Sequence, residues 1–170
     1  MEVNIRMMTP DDYPVVEHIY MEGIATGNAT FQTTAPTWTV WDSEHLPFGR
    51  LVAENTEGSA SEKIVAWAAL VPVSGRCVYA GVAELSVYVS KAARGLGIGR
   101  LLMEKLISES EVHGIWTLQA GLFPENIGSV KLHVKTGFRQ IGYRERVGQM
   151  SDGRWRDTLL FERRSQTVGV

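Results

Sequence analysis

The sequence predicts a mixed α/β domain, a central β-sheet flanked by helices, and three observations carry that expectation. Short segments with apolar residues at every second position alternate with segments whose apolar residues recur at helical spacing. The order reads β-α-loop-β-β-β-α-β-α-β-β, with no repeat or low-complexity tract to interrupt it. A glycine-rich corner, Arg94-Gly95-Leu96-Gly97-Ile98-Gly99-Arg100, lies between a strong strand and an amphipathic helix.

Val3-Asn4-Ile5-Arg6-Met7 alternates and forms the first strand. Thr9 as N-cap, Pro10 at the first helical position and Asp11 and Asp12 in the first turn then start a helix. Its buried stripe is Val15, Val16, Ile19 and Tyr20. From Gly23 to Thr39 the chain is rich in Gly, Thr and Pro, and it reads as a loop or broken helix of the kind that carries substrate contacts. Residues 50–54 and 64–70 read as strands joined by a polar hairpin loop over 55–62. A connector over 72–81 holds Arg76, Cys77 and Tyr79, and residues 83–89 make the next strand. After the glycine corner, Leu101, Leu102, Leu106 and Ile107 mark a helix. Residues 116–122 form a strand, and 126–136 a helix that Gly137 ends at C′. Two late strands, 138–142 and 158–162, flank the turn Ser151-Asp152-Gly153. The domain spans 1–163, and 164–170 is expected to be a loose tail.

A chain of 170 residues suits one domain, and 44% hydrophobic with 21% charged residues is ordinary for a soluble protein. A formal net charge of -2 gives no basic field that would point to nucleic acid. Cys77, the single cysteine, cannot form an internal disulfide, which fits a reducing compartment. The first residues lack the apolar core of a signal peptide, and no apolar run approaches the ~20 residues that span a bilayer, so the expectation is a cytoplasmic protein with no membrane partner. His18, His45, His113 and His133 show no metal-ligand spacing, and no metal is expected. There is no G-x-S-x-G elbow, and Cys77 has no histidine beside it, so it reads as a bystander.

The corner carries the most chemical information. Three glycines at alternate positions let the backbone approach a ligand closely. A helix opening there aims unpaired N–H groups and the positive end of its dipole at the same spot, which suits a pyrophosphate. Arg94 and Arg100 flank it and can add charge-assisted bonds. By glycines alone, a simple chain reversal fits equally well. The spacing matches neither G-x-x-x-x-G-K-[ST] nor G-x-G-x-x-G.

In its setting between strand and helix, Arg94-Gly95-Leu96-Gly97-Ile98-Gly99 resembles the R/Q-x-x-G-x-G/A signature of the GNAT superfamily of N-acetyltransferases. The segment from Asn126 through Gly137-Phe138 resembles the later signature of the same superfamily. A closer resemblance, running from about residue 3 to residue 163, is to its phosphinothricin/methionine sulfoximine branch. Ala29-Thr30-Phe31, Glu84-Leu85-Ser86-Val87-Tyr88-Val89, Lys131-Leu132-His133 and Gly153-Arg154-Trp155-Arg156-Asp157 carry it.

This resemblance implies the GNAT fold, acetyl-CoA as cosubstrate, a small-molecule amine as acceptor, and a homodimer. Arg94, Gly95, Leu96, Gly97, Ile98, Gly99 and Arg100 would hold the pyrophosphate, and Val87, Tyr88 and Val89 the pantetheine arm. Asn126, with Ser129 in the same stretch, would meet the cofactor near its acetyl end, or Asn126 would simply cap the helix. Glu84 would be the general base that deprotonates the amine, its carboxyl raised by apolar neighbours, or else a structural carboxylate. His133 stands where many members have a tyrosine acting as general acid; it would donate a proton, hydrogen-bond the sulfur, or serve as a half-buried helix residue. Phe31, Arg76, Tyr79, Leu85 and Ser86 complete the expected acceptor site. In it Arg76 would clamp a carboxylate or stay a solvated surface arginine, and Phe31 would line the acceptor or pack in the core. Trp155 and Asp157 are expected to set strand and dimer packing. Open alternatives are another small amine or a peptide N-terminus as acceptor, and a coenzyme A-binding sensor without turnover, which the presence of Glu84 opposes.

Overall fold

The computed structural model describes residues 1–57 and 63–170. Its strands are β1 (Val3–Met7), β2 (Leu51–Asn55), β3 (Ile64–Pro72), β4 (Val82–Val89), β5 (Thr117–Leu122), β6 (Arg139–Gln149) and β7 (Trp155–Arg164). They form one seven-stranded sheet in the order β1-β2-β3-β4-β5-β7-β6. Every neighbouring pair is antiparallel except β4 and β5, which run parallel. The helices are α1 (Tyr13–Ala25), α2 (Trp38–Glu44), α3 (Ile98–Val112) and α4 (Ile127–Lys135).

Residues 64–70 of β3 are buried without a break, as expected of a central strand covered on both faces. Alternation then sorts them. Ala66, Ala68 and Leu70 join Leu102, Met103 and Leu106 of α3, whereas Trp67 and Ala69 join Tyr13, Val16 and Ile19 of α1 and Trp41 of α2. β4 divides in the same way: Leu85, Val87 and Val89 pack toward α3 and Tyr88 toward α1. Glu84 and Ser86 therefore share the α1 face with Tyr88.

Several expected boundaries shift. The helix after Pro10 opens with a 3-10 turn over Pro10–Asp12, where the Asp12 carboxylate accepts from Thr9 N (2.7 Å) and both guanidinium nitrogens of Arg6 (2.7 and 2.8 Å). α1 runs through Gly23 to Ala25, and α2 opens at Trp38, at the end of the stretch expected to be loop or broken helix, and continues through residues for which the sequence predicts no element. Thr, Val and Trp are weak helix formers, so packing holds α2 rather than propensity: Trp38 stacks on Trp41 (5.8 Å), and Tyr13 meets both rings. β6 and β7 are about twice the expected length, because β6 is an edge strand with mostly exposed residues and shows no apolar alternation. The 151–153 turn closes their hairpin, with Gly153 at φ 88°. Gly137 ends α4 at φ 89°, as expected. Residues 58–62 of the expected hairpin loop lie outside the described residues. Past Arg164 the chain, expected to be a loose tail, hooks back: buried Ser165 donates its amide to Trp116 O (2.8 Å), and Arg164 donates to Val168 O and Gly169 O (2.8 and 2.6 Å). Among the described residues no helix is long and apolar enough to cross a membrane.

Candidate active site

β4 and β5 are paired for only three residues, Val82↔Thr117 to Glu84↔Gln119, and then part. Beyond Glu84 the β4 edge that faces β5 has no strand partner among the described residues. A cleft of about 790 Å³ opens in this gap between Val87 and Val89 of β4, the start of α3 and the face of α4. The glycine corner forms part of its lining. Gly95 and Gly97 hold φ of 80° and 82°, the left-handed region that a side chain would strain, and a Cβ at either would meet no atom within 4 Å. Gly97 is the N-cap of α3, so the amides of Ile98 and Gly99 lack helical partners, and those of residues 94–97 have no backbone partner among the described residues either.

Charge follows the same geometry. Arg94, Arg100, Lys131 and Lys135 line the cleft of a chain whose net charge is -2. The single acid in the lining, Glu125, is engaged by Arg156 at 3.1 Å. Unpaired amides, an open strand edge and four cations suit a long, polyanionic ligand that can also bond like a strand. Of the residues expected to meet the cofactor, Val87, Tyr88, Val89, Arg94, Gly95, Gly97, Ile98, Gly99, Arg100, Asn126 and Ser129 lie in this lining. Leu96 does not; its side chain is largely exposed outside the cleft. Neither Lys131, read only as part of a matching stretch, nor Lys135 was expected at the site, although their i,i+4 spacing on one helical face was the available signal.

The wall opposite α4 is the loop after α1. Asn126 caps α4 through Oδ1, which accepts from Ser129 N (3.2 Å), while its Nδ2 donates to Asn28 O (3.1 Å). Arg156 of β7, only 7% exposed, donates to Gly27 O (2.8 Å), Asn28 Oδ1 (2.9 Å) and Glu125 Oε2 (3.1 Å) and lies 3.9 Å over the Phe123 ring. Two side chains thus fasten one wall of the cleft to the other. Phe31 packs edge-on against Phe123 (4.8 Å) and over Gly148 of β6, where a Cβ would fall 2.4 Å from the ring. Asp157 accepts from Arg146 N (2.7 Å) and from the Tyr143 hydroxyl, holding the irregular stretch of β6 between Arg144 and Gly148.

Glu84 stands at the last paired residue, where the two strands begin to diverge. Its side chain reaches solvent and is not sunk in the core. The surrounding protein nevertheless strips away enough water to raise its carboxyl above the usual range, and the charge of Arg144 on β6 draws it part of the way back. Arg144 was not a sequence candidate.

His133 departs further from expectation. It is buried (3% exposed), lies beside Phe138 and Phe161, and does not line the cleft. Its Nδ1 donates to Ser129 O (2.8 Å), which leaves Nε2 as a bare acceptor with no partner among the described residues. Burial lowers its pKa, so the ring is neutral near pH 7 and Nε2 has no proton to give.

The expected acceptor residues are only partly assembled. Arg76 and Tyr79 stack on each other at 5.6 Å on the surface of the β3–β4 connector. Leu85 turns into the core under α3, so only its backbone faces the gap. Ser86 opens instead into a second, smaller cavity on the α1 side of the sheet. Among the described residues no cluster of His, Cys, Asp and Glu is arranged to hold a metal, and Cys77 is exposed.

Comparison with known proteins agrees with this geometry. The model of the Acetyltransferase (GNAT) family matches residues 13–138. The chain is 34% identical to phosphinothricin N-acetyltransferase of Alcaligenes faecalis over 169 residues, covering 94% of this chain and 81% of that protein. Among solved structures it resembles ribosomal-protein-alanine N-acetyltransferase from Brucella melitensis, with TM-score 0.83, 32% identity and coverage of 95% and 99% of the two chains. It also resembles a phosphinothricin acetyltransferase from Sinorhizobium meliloti in complex with AcCoA, with TM-score 0.84, 25% identity and coverage of 99% and 91%. With the family model covering most of its length and a strand-edged, cationic cleft that fits acetyl-CoA, the chain belongs to the Acetyltransferase (GNAT) family and is an acetyl-CoA-dependent N-acetyltransferase.

Proposed function

We propose that this enzyme acetylates the amino group of a small amino acid analogue of the phosphinothricin or methionine sulfoximine type, with Glu84 as general base. The observation that carries the proposal is the place of Glu84: a carboxylate with a raised pKa at the point where β4 and β5 separate. Bound acetyl-CoA supplies an activated acyl thioester. The free amides of residues 95–99 with the side chains of Arg94 and Arg100 bind its diphosphate, and the open edge of Val87, Tyr88 and Val89 takes up its amide-bearing arm. Asn126 and Ser129 line the far wall beside that arm. Most alkyl amines are protonated at neutral pH, so the acceptor must lose a proton before it can attack. Glu84 accepts that proton, directly or through a water, and its raised pKa brings it closer to the amine's own. Arg144, the cation that acts on Glu84, stabilises the carboxylate before the transfer.

His133 then serves as a helix-shaping residue rather than an acid, since its proton is committed to Ser129 O. Ser86 lines the smaller cavity on the α1 side of the sheet, and Phe31, Arg76 and Tyr79 complete the proposed acceptor site. The exposed apolar side chains Ile141, Tyr143, Val147 and Trp155 on β6 and β7 support assembly as a homodimer through this edge, which sedimentation velocity tests. A cytoplasmic location remains part of the reading.

A thiol-release assay across amino acid analogues, polyamines and alanine-initiated peptides tests the substrate claim. Turnover confined to alanine-initiated peptides would favour the second reading, which the likeness to ribosomal-protein-alanine N-acetyltransferase supports. Glu84→Gln should lower turnover at least a hundredfold with acetyl-CoA affinity unchanged, and unchanged turnover would remove Glu84 from the mechanism.

A further inference from the structure

An amino-acid acceptor carries its carboxylate one carbon away from the amine that must give up its proton. Whatever holds that carboxylate has to stand close to the general base, and the sheet register identifies a cation that does. Glu84 pairs with Gln119 of β5, Gln119 with Glu162 of β7, and Thr158, further along β7, with Arg144 of β6. Paired residues point to one face of a sheet, as do alternate residues of one strand. Leu159 and Phe161, which alternate with Thr158, Leu160 and Glu162, turn to the α3 core. Glu84 and Arg144 thus look out on the same α1 face, from either side of the gap between β4 and β5.

The loop after α1 covers that face: Phe31 lies over Gly148 of β6 and against Phe123 just past β5, and Arg156, opposite Gly148, holds Gly27 and Asn28. Most charges nearby are committed. Arg156 is bonded to Glu125, Arg139 to Glu162, and Asp157 to Tyr143 and the Arg146 amide. The guanidinium of Arg144 has no hydrogen-bond or ion-pair partner among the described residues. Its charge nevertheless reaches Glu84, and it is the one charge among the described residues that does. The neighbours of Glu84 across the sheet, Val71 on β3 and Gln119 on β5, are uncharged. Arg76, the cation expected to meet a carboxylate, lies on the β3–β4 connector stacked on Tyr79 at 5.6 Å, and its charge is not among those that act on Glu84.

We propose that Arg144 binds the carboxylate of the acceptor and so sets a preference for amino acids over simple amines. This deepens the acetyltransferase reading, with Glu84 as base, and rests on it. A guanidinium meets a carboxylate through two parallel N–H···O bonds, which fix the direction of the neighbouring amine as well as its position. Docking also changes the base. Before the acceptor arrives, Arg144 favours the ionised form of Glu84. Once Arg144 is paired with the acceptor's carboxylate its charge is balanced, and Glu84 binds a proton more firmly at the moment it must take one from the amine.

The test compares kcat/KM for L-methionine sulfone, whose carboxylate is its only anion, with that for methylsulfonylpropylamine, the same molecule with hydrogen in place of the carboxylate. Rates are taken on the alkaline plateau, where Glu84 is ionised in every variant. Arg144→Gln should cut the amino acid's advantage over the amine about tenfold to a hundredfold, the worth of a hydrogen bond to a charged group. Arg144→Lys keeps the charge without the fork and should fall between, with acetyl-CoA affinity by calorimetry unchanged in both variants. In Arg144→Gln the acid limb of kcat/KM should also move to higher pH, because Glu84 loses the cation that favours its ionised form; a merely structural loss does not move that limb. Equal losses for the two acceptors in Arg144→Gln, or a carboxylate preference that survives there and disappears in Arg76→Gln, overturns the clamp and leaves acetyl transfer standing. A wild-type protein that acetylates neither acceptor overturns the amino-acid reading beneath it.

Discussion

Replacing Arg156 should loosen the cleft from a distance. Its fork holds Gly27 O and Asn28 Oδ1 at 2.8 and 2.9 Å, and bonds from a charged donor are each worth about 1.5 kcal/mol at the low end. The pair with Glu125 adds little, well under about 1 kcal/mol, because that carboxylate is 59% exposed and well screened. Stacking over Phe123 at 3.9 Å contributes on the order of 1 kcal/mol. Water will partly re-satisfy the loop carbonyl in Arg156→Ala, so the expected loss is about 3 kcal/mol. For a domain of this size that lowers Tm by roughly 6–12 °C. Thr26, Asn28 and Ala29 belong to the cleft wall that the fork secures, so acetyl-CoA should bind about tenfold more weakly. Arg156→Lys keeps the charge without the fork and should fall between. Thermal melts and calorimetry measure both quantities. A Tm within about 2 °C of wild type, with affinity intact, would show that the loop holds its place without Arg156.

Three further outcomes follow from the site. Glu84→Gln should stabilise the fold near pH 7: the folded pKa is raised, so ionisation weakens the wild type as pH climbs through it, and the gain should vanish below the unfolded carboxylate pKa of about 4.3; melts at pH 4 and pH 7 check the sign. Gly97→Ala, at φ 82° with open space around its Cβ, should lose about 1–2 kcal/mol through backbone strain alone, read from urea unfolding. Lys131→Gln/Lys135→Gln should weaken acetyl-CoA several-fold and flatten the salt dependence of its Kd, with Tm within about 2 °C of wild type.

Much of this was legible in the chain, and the failures have physical causes. Strands β1 to β5 announce themselves because each has a buried face, and the glycine corner because only glycine accepts its backbone angles. α2 hid because Trp-Thr-Val-Trp-Asp-Ser-Glu has no helical preference of its own and is held by rings contributed from α1 and its own turns. β6 hid because an exposed edge needs no apolar period. Within the site, the cleft residues were readable from local motifs, but the burial of His133 was not, since the aromatic rings around it come partly from β7, far along the chain. The roles of Arg156 and Arg144 depend on which strands end up side by side, and nothing in a one-dimensional reading states that β7 and β6 close over the α1–α2 loop.

The parting of β4 and β5 also bears on solubility. A row of strand amides and carbonyls without a strand partner ordinarily invites another polypeptide to add on. Here that row lies inside the sheet rather than at its rim, between a diverging neighbour and the helices α3 and α4. A passing strand brings side chains above and below its own plane and finds both sides taken. Only something slender, without such projections, can slide in, and the protein can keep sticky backbone on offer without growing into fibres.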